Sequence, residues 1–470
     1  MELPNDIASL TTLVHQLLAR IAGLESELAA TQAENKVLKA RLSQNSSNSH
    51  QAPSKSGYGK KPALPKSQGK KQGGQSGHQG HTLEMIAVAD QVALCWPVQC
   101  ECGQILPAKS GQFQQRRQVF ELPEPKLRVT EYQQMACCCP ACGRCCTGHF
   151  PAGVAAPVQY GPGVLALGVL LNNSCQLSYQ KISCLFADLF GYRVNESTLS
   201  RANTQVYVGL AESQPMVAKR LSQSPLLHMD ETGLRVAGKL HWLHSISNEQ
   251  YSYLWVNAYR GQKAWPQACP WLKDFTGWLV HDCFAPYFSL TKAKHALCGA
   301  HLVRELQALT EQGSGWARQM RQLLLALYTH SEQGKGKVAY FVHWRALYGA
   351  ICSRALIEEP PPLVGKGRAR PAQSKGRNLL QRLLTHQTAV LAFACQQLVP
   401  FSNNEAERSV RPAKTKQKVA GCFRTLLGAQ IYARILSFIS TCRKQGGKLF
   451  QQLQLAIQGN TFLTHPSLST

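Results

Sequence analysis

Apolar residues in the first part of the chain recur in steps of three and four. Ile7, Leu10, Val14, Leu17, Ile21, Leu24, Leu28, Leu38 and Leu42 fall on one stripe, with Thr31 and Asn35 in the same register. So narrow a stripe, held over about five heptads, predicts a coiled coil over residues 1–44. Asn35 occupies an a position, where a buried amide favours a two-stranded parallel pairing. The pattern then stops. Between Ser43 and Thr82 there is no acidic residue, while Lys55, Lys60, Lys61, Lys66, Lys70 and Lys71 recur. Residues 45–85 therefore read as a basic, disordered linker with too little apolar surface to offset ordering. Helical periodicity returns after Gly161, in a region bounded at 151–220. Ile182 to Phe190 predicts a helix, Gly191 a turn, and Asn195 the cap of a second helix beginning at Glu196. The pair is either a helix-turn-helix, with Ser197, Thr198, Ser200 and Arg201 placed to meet DNA, or a plain helical hairpin. From Pro225 the pattern is that of strands: Leu226 to Met229, Leu240 to Ile246, Tyr251 to Ala258 and Gly277 to Val280. Helical spacing resumes from His295 to about Ala350 and from Asn378 to Leu398, around a loop rich in Pro, Gly and basic residues.

Composition adds a partner to this outline. Over 470 residues, enough for two to four folded units, 51 Lys and Arg stand against 26 Asp and Glu, a formal net charge of +25. That imbalance predicts a polyanionic partner. The longest apolar stretch, Val164 to Leu171, is too short to span a bilayer, and no signal pattern opens the chain. The expectation is a cytoplasmic, nucleoid-associated protein with no membrane partner.

Cysteine usage marks a further module. Nine of the 18 cysteines lie between Cys95 and Cys146, which in a reducing compartment reads as metal ligation. Cys139-Pro140-Ala141-Cys142-Gly143 has the spacing of a zinc half-site. The other half is less regular, with Cys95, Cys100 and Cys102 before Gly103. Residues 86–150 are expected to form a zinc ribbon on Cys100, Cys102, Cys139 and Cys142, with Cys95 in reserve. Cys137, Cys138, Cys145 and Cys146 leave the ligand choice open, and free cysteines in a loop are the alternative. Between the halves, Gln118 to Thr130 alternates like a strand.

Three acids stand out by their surroundings. Asp230 follows Leu226-Leu227-His228-Met229, Asp282 follows Trp278-Leu279-Val280-His281, and each reads as a carboxylate at the end of a short hydrophobic strand. Glu407 lies in Asn403-Asn404-Glu405-Ala406-Glu407-Arg408, and from Pro360 to Thr470 only Glu405 and Glu407 are acidic. Three such carboxylates beside a basic surface suggest metal-assisted phosphoryl transfer on nucleic acid. Glu231 and Glu405 are their rivals. Neighbours on a strand face opposite sides, and residues two apart on a helix diverge by about 200°, so one of each pair can face a common site.

The order strand, Asp, two strands, strand, Asp, helices, Glu resembles the ribonuclease-H-like fold of DDE transposases and retroviral integrases. Met229-Asp230-Glu231-Thr232, His281-Asp282-Cys283-Phe284-Ala285-Pro286-Tyr287, Cys298-Gly299-Ala300-His301 and Asn403-Asn404-Glu405-Ala406-Glu407-Arg408 resemble the insertion sequence 66 family of transposases. So do Lys416 to Thr425, the zipper, the Gly/Gln/His linker and the cysteine module. The resemblance implies a multidomain α+β protein. In it, a ribonuclease-H-like core (221–302, with its catalytic helix at 401–420) is interrupted by a helical insertion (303–400) and followed by a helical region (421–470). It chooses Asp230, Asp282 and Glu407 as the catalytic triad, holding Mg2+ or Mn2+, for cleavage of insertion-sequence ends and strand transfer. Arg408, Arg411, Lys414, Lys416 and Lys418 become candidates for contact with DNA phosphates. Cys298 and His301 stand beside the triad, as a supporting pair or as a metal half-site. The implied partners are double-stranded DNA at the transposon ends and target, a second copy of the chain, and accessory proteins of the same element. A non-catalytic DNA-binding regulator that keeps the fold, and a ribonuclease-H-like nuclease or resolvase, are the alternatives.

Overall fold

A computed structural model describes residues 6–42, 83–107, 112–333, 341–361 and 373–460. The expected basic linker lies almost wholly outside them. The chain divides into two compact units, Met1–Gly57 with Gln134–Ala187 and Arg193–Thr470, and Tyr58–Gln133 with Asp188–Tyr192. Among the described residues, no helix is long and apolar enough to cross a membrane.

In the larger unit, helix α1 runs unbroken over Ile7–Leu42. Its stripe lies bare, with Val14, Leu17, Ile21, Leu24 and Leu28 each more than half exposed. The short strands β1 (Ala136–Cys138) and β2 (Cys145–Thr147) form an antiparallel ribbon joined by a Cys138–Cys145 disulfide. In the smaller unit the alternating stretch Gln118 to Thr130 forms no strand. Period-two alternation is not enough without a partner strand to take its backbone groups.

Four helices lead into the sheet: α2 (Pro162–Asn173), α3 (Tyr179–Phe190), α4 (Glu196–Gly209) and α5 (Ser213–Ser222). The expected stop and start signals hold, since Gly191 has φ +72° and the Asn195 side chain accepts from the Ser197 amide at 2.8 Å. The five-stranded sheet contains β3 (Leu226–Val236), β4 (Lys239–Ser247), β5 (Ser252–Asn257), β6 (Trp278–His281) and β7 (Lys294–Leu297), in the order β5-β4-β3-β6-β7. The first three strands are antiparallel neighbours, whereas β6 and β7 run parallel to β3. A mixed sheet of this order, flanked by helices, is consistent with a ribonuclease-H-like core.

Two sequence expectations change here. β3 does not end near Asp230 but continues to Val236, where Ala237 and Gly238, both with positive φ, make the two-residue turn into β4. A fifth strand, β7, occupies residues expected to begin a helix. The free edge of β5 is closed by α14 (Leu426–Lys444): the hydroxyls of Ser437 and Thr441 accept from the amides of Leu254 and Ser252 at 2.8 and 3.1 Å. Such cover blunts an edge that would otherwise pair with another chain.

The remaining helices are a single turn α6 (Trp265–Ala268), then α7 (Gly299–Glu311), α8 (Gly315–Gln333), α9 (Phe341–Glu358), α10 (Lys375–Thr385), the single turns α11 (Gln387–Val390) and α12 (Ala392–Cys395), α13 (Asn404–Ala420) and α15 (Leu449–Ile457). The helical spacing over Asn378 to Leu398 thus folds as three pieces, α10 to α12. Side chains of β3 divide between two faces. Leu227 and Met229 join a core with Trp265, Leu272 and Tyr287, while Leu234 and Val236 pack with Ala413 of α13 and Tyr432 of α14. Helices α7 to α12 gather around a third core with Trp316, Tyr348 and Leu383, which abuts Val280 and Leu297 of the sheet.

Candidate active site

Strand register sets the first two carboxylates side by side. His228 of β3 pairs with Val280 of β6, the last pairing between these parallel strands. Asp230 and Asp282 each lie two residues further on, at one level and, by the alternation of side chains, on one face. Here β6 ends while β3 continues. Asp282 turns into the following loop, its Oδ1 accepting from the Phe284 amide at 3.0 Å. Cys283 takes a left-handed φ of +73°, uncommon for a residue with a side chain. Its amide donates to His281 Nδ1 at 3.1 Å, and His281 Nε2 meets His295 Nδ1 at 3.1 Å. Burial pushes His281 down to about 3, so this completely buried imidazole is neutral and can accept at Nδ1.

Helix α13 brings Glu407 close enough for its charge to act on Asp230. Its Oε1 stands 3.6 Å from His301 Nδ1 on α7, and its Oε2 lies 3.5 Å from Arg411 one turn on. Glu407 Oε1 is buried and accepts no hydrogen bond among the described residues. Electrostatics join the three acids: Asp230 is raised well above the usual carboxylate range, first by burial, then by the charges of Asp282, Glu231 and Glu407. A buried carboxyl crowded by like charges stays neutral or takes a cation. Among the described residues, the ligand atoms that gather within 4.8 Å of one another are those of Cys298, His301 and Glu407, and the three acids Asp230, Asp282 and Glu407 do not form such a set. Cys298, buried and pushed up to about 11 by that burial, accepts from the Asn403 amide at 3.2 Å.

Both rival acids are engaged elsewhere. Glu231 points to the opposite face of β3, accepting from Arg260 Nε at 2.8 Å and from the fully buried Tyr287 hydroxyl. Its side chain is only 2% exposed, and burial raises its carboxyl. Arg260 in turn lies over the Phe284 ring at 3.8 Å. Glu405 meets Lys444 Nζ at 3.2 Å and Arg408 at 3.8 Å.

Comparison with known proteins adds the family. The model of the Transposase IS66 family matches residues 157–431, more than half of the chain. The chain belongs to this family. It is thus a transposase in general kind and, broadly, an enzyme. No curated protein matches the chain.

The candidate DNA contacts of this IS66-family protein divide by position. Arg408 and Arg411 are 70% and 68% exposed, and Lys418 is exposed as well. Lys414 and Lys416 are not surface charges. Their ammonium groups donate to the carbonyls of Gly233 at 2.9 Å and Asn172 at 3.2 Å, and burial pushes Lys416 down to about 8. On α4, Ser197, Ser200 and Arg201 are exposed and Thr198 half-buried, with Arg201 reaching Thr198 Oγ1 at 3.4 Å. Of the expected zinc ligands, Cys100 and Cys102 belong to one compact unit and Cys139 and Cys142 to the other. Each pair sits in a turn closed through a glycine, where Gly103 and Gly143 donate to the carbonyls of Cys100 and Cys139 at 2.9 and 2.8 Å. Backbone amides lower both leading thiols, that of Cys102 acting on Cys100 and those of Cys142 and Ala141 on Cys139.

Several residues had no assigned role in the sequence. His228, Asn403, Tyr287 and Arg260 touch the strands and loops that carry the acids. Asn403 was visible inside the Glu407 motif, but no local signal marks it as a completely buried residue.

Proposed function

We propose that this transposase cleaves DNA at the ends of its element and joins them to a target through Asp230, Asp282 and Glu407. The observation that carries the reading is the strand register that sets Asp230 and Asp282 each two residues beyond the last β3–β6 pairing, with the Asp230 carboxyl raised by burial and then by the charges of Asp282, Glu231 and Glu407. Such a concentration of negative charge suits hard divalent cations with oxygen ligands, Mg2+ or Mn2+. When bound, these ions supply the charge that activates an attacking hydroxyl and steadies the leaving oxygen. Asp230 and Asp282 hold the strand side of the site, and Glu407 the helix side, with His301 beside its Oε1. Arg408, Arg411 and Lys418 present positive charge to phosphates on the flank of α13, and Ser197, Thr198 and Arg201 form a second contact surface on α4. The bare stripe of α1 pairs two chains, which brings two DNA ends together. Zinc suits the amide-lowered thiols of each cysteine turn, Cys100 with Cys102 and Cys139 with Cys142.

The test is cleavage of end-containing DNA by purified full-length protein in Mg2+. Asp230→Asn and Asp282→Asn should each lower cleavage and strand transfer on the order of a hundred- to a thousandfold, the effect of removing a ligand charge that contributes several kcal/mol. DNA binding should persist or tighten, since a repulsion with phosphate is removed. Variants that cut as well as the wild type would refute the reading.

A further inference from the structure

We propose that Asn403 is a positioning residue that sets the placement of Asp230 relative to Glu407, an inference resting on the carboxylate reading above. Asn403 is completely buried and immediately precedes α13. Its side-chain Nδ2 donates to the Met229 carbonyl at 2.7 Å, the peptide link into Asp230. That bond fixes the amide orientation, so Oδ1 is the acceptor and His228 Nδ1 carries the proton across the 2.9 Å contact. The Asn403 amide donates to Cys298 Sγ at 3.2 Å, just before α7 and His301. Its carbonyl accepts from the amide of Glu407 itself at 3.2 Å.

One residue therefore ties together the strand before Asp230, the start of the helix that carries His301, and the backbone of Glu407. All four of its polar groups are spent, on three different parts of the chain, and none faces solvent. A hydrophobic residue would fill the space equally well. It would, however, leave the Met229 carbonyl and the His228 N–H buried without this partner, a recognised source of instability. The neighbouring Asn404 is exposed and serves as an internal control. Residues that support ligands in this way commonly alter metal affinity about 10–100-fold when changed.

The experiment measures Mn2+ binding to the full-length protein by electron paramagnetic resonance. Mn2+ is chosen because it favours carboxylates over the many thiols of this chain. Wild type, Asn403→Ser, Asp230→Asn, the double variant and Asn404→Ser are compared, with melting curves recorded for each. The expected result is binding weakened about 10–100-fold by Asn403→Ser, no weakening by Asn404→Ser, and little additional loss when Asn403→Ser is combined with Asp230→Asn. A purely architectural role would lower the melting temperature without that non-additivity. Asn403→Asp keeps the volume and the acceptor for His228 but loses the donor to Met229. It is the second variant should the serine form not fold, with the same expected loss. Wild-type Mn2+ affinity in a folded Asn403 variant, with Asp230→Asn impaired, overturns this proposal alone. An Asp230→Asn protein that binds Mn2+ like the wild type overturns the carboxylate reading and this proposal with it.

Discussion

Gly299→Ala should destabilise the protein although it adds only a methyl group at the start of a helix. Gly299 opens α7, and its amide donates to the Phe401 carbonyl at 2.7 Å. A Cβ at this position would lie 2.5 Å from Phe401 Cζ and 2.7 Å from Cδ2, and closer still to Cε2. Carbon atoms at rest are about 3.5–4.0 Å apart, so the ring would have to retreat by roughly 1 Å. It has little freedom to do so: Phe401 stacks on Tyr328 at 4.5 Å and meets Phe393 edge-on at 4.8 Å. Overpacking of this kind costs about 1–3 kcal/mol. Alanine's better helix propensity recovers at most about 1 kcal/mol and less at a first-turn position. The expected net loss is about 1–2 kcal/mol, read as a lower urea midpoint with an unchanged slope. Because Phe401 lies two residues before Asn403, DNA cleavage should fall as well. Adding Phe401→Leu should restore part of the stability by making room. A Gly299→Ala protein as stable as the wild type would refute the argument, since it would show that Phe401 is not wedged.

Two further outcomes follow from charge. Asp230 has a folded pKa above its ordinary value, so the folded chain binds that proton more tightly than the unfolded one. In metal-free buffer this stabilisation is complete below the ordinary carboxylate pKa and is lost as pH rises through the raised value. Asp230→Asn should therefore raise the neutral-pH melting temperature and flatten its pH dependence, and a lower melting temperature at neutral pH would contradict the sign. On α13, Lys418→Ala should weaken DNA binding and reduce the slope of log affinity against log salt by about 0.9, the share of a single neutralised phosphate. Lys416→Met should leave that slope unchanged, because its ammonium is bonded to the Asn172 carbonyl; fluorescence anisotropy at several salt concentrations checks both.

How much of this was legible in the sequence depends on whether the signal was local. Asp230, Asp282 and Glu407 stand out because each is an acid in surroundings that do not need one for solubility. Alternation along a strand was enough to put Asp230 and Glu231 on opposite faces, with the family resemblance choosing between them, and the Asn195 cap marked the start of α4. Strand ends were less accessible. Glu231 to Val236 mixes charge and glycine with apolar residues, and its strand character comes from pairing with β4 and from Phe423, which bridges to Val236. Lys294 to Leu297 is too short to declare itself and becomes β7 through parallel pairing with β6. Lys416 reads as a surface charge in a basic run, and only its packing against α2 and Tyr432 shows otherwise. Asn403 is the clearest case: an asparagine beside another asparagine, one buried and one exposed, distinguished by partners far away in the chain.

Glu407 against Glu405 is the most direct comparison for the central claim. They are two residues apart on one helix, yet Glu407 meets His301 while Glu405 meets Lys444. Mg2+-dependent cleavage of end-containing DNA should be measured for Glu407→Gln and Glu405→Gln, with binding to the same DNA recorded in parallel. The account predicts that Glu407→Gln binds and does not cut, while Glu405→Gln does both. Cleavage retained in Glu407→Gln and lost in Glu405→Gln would contradict it.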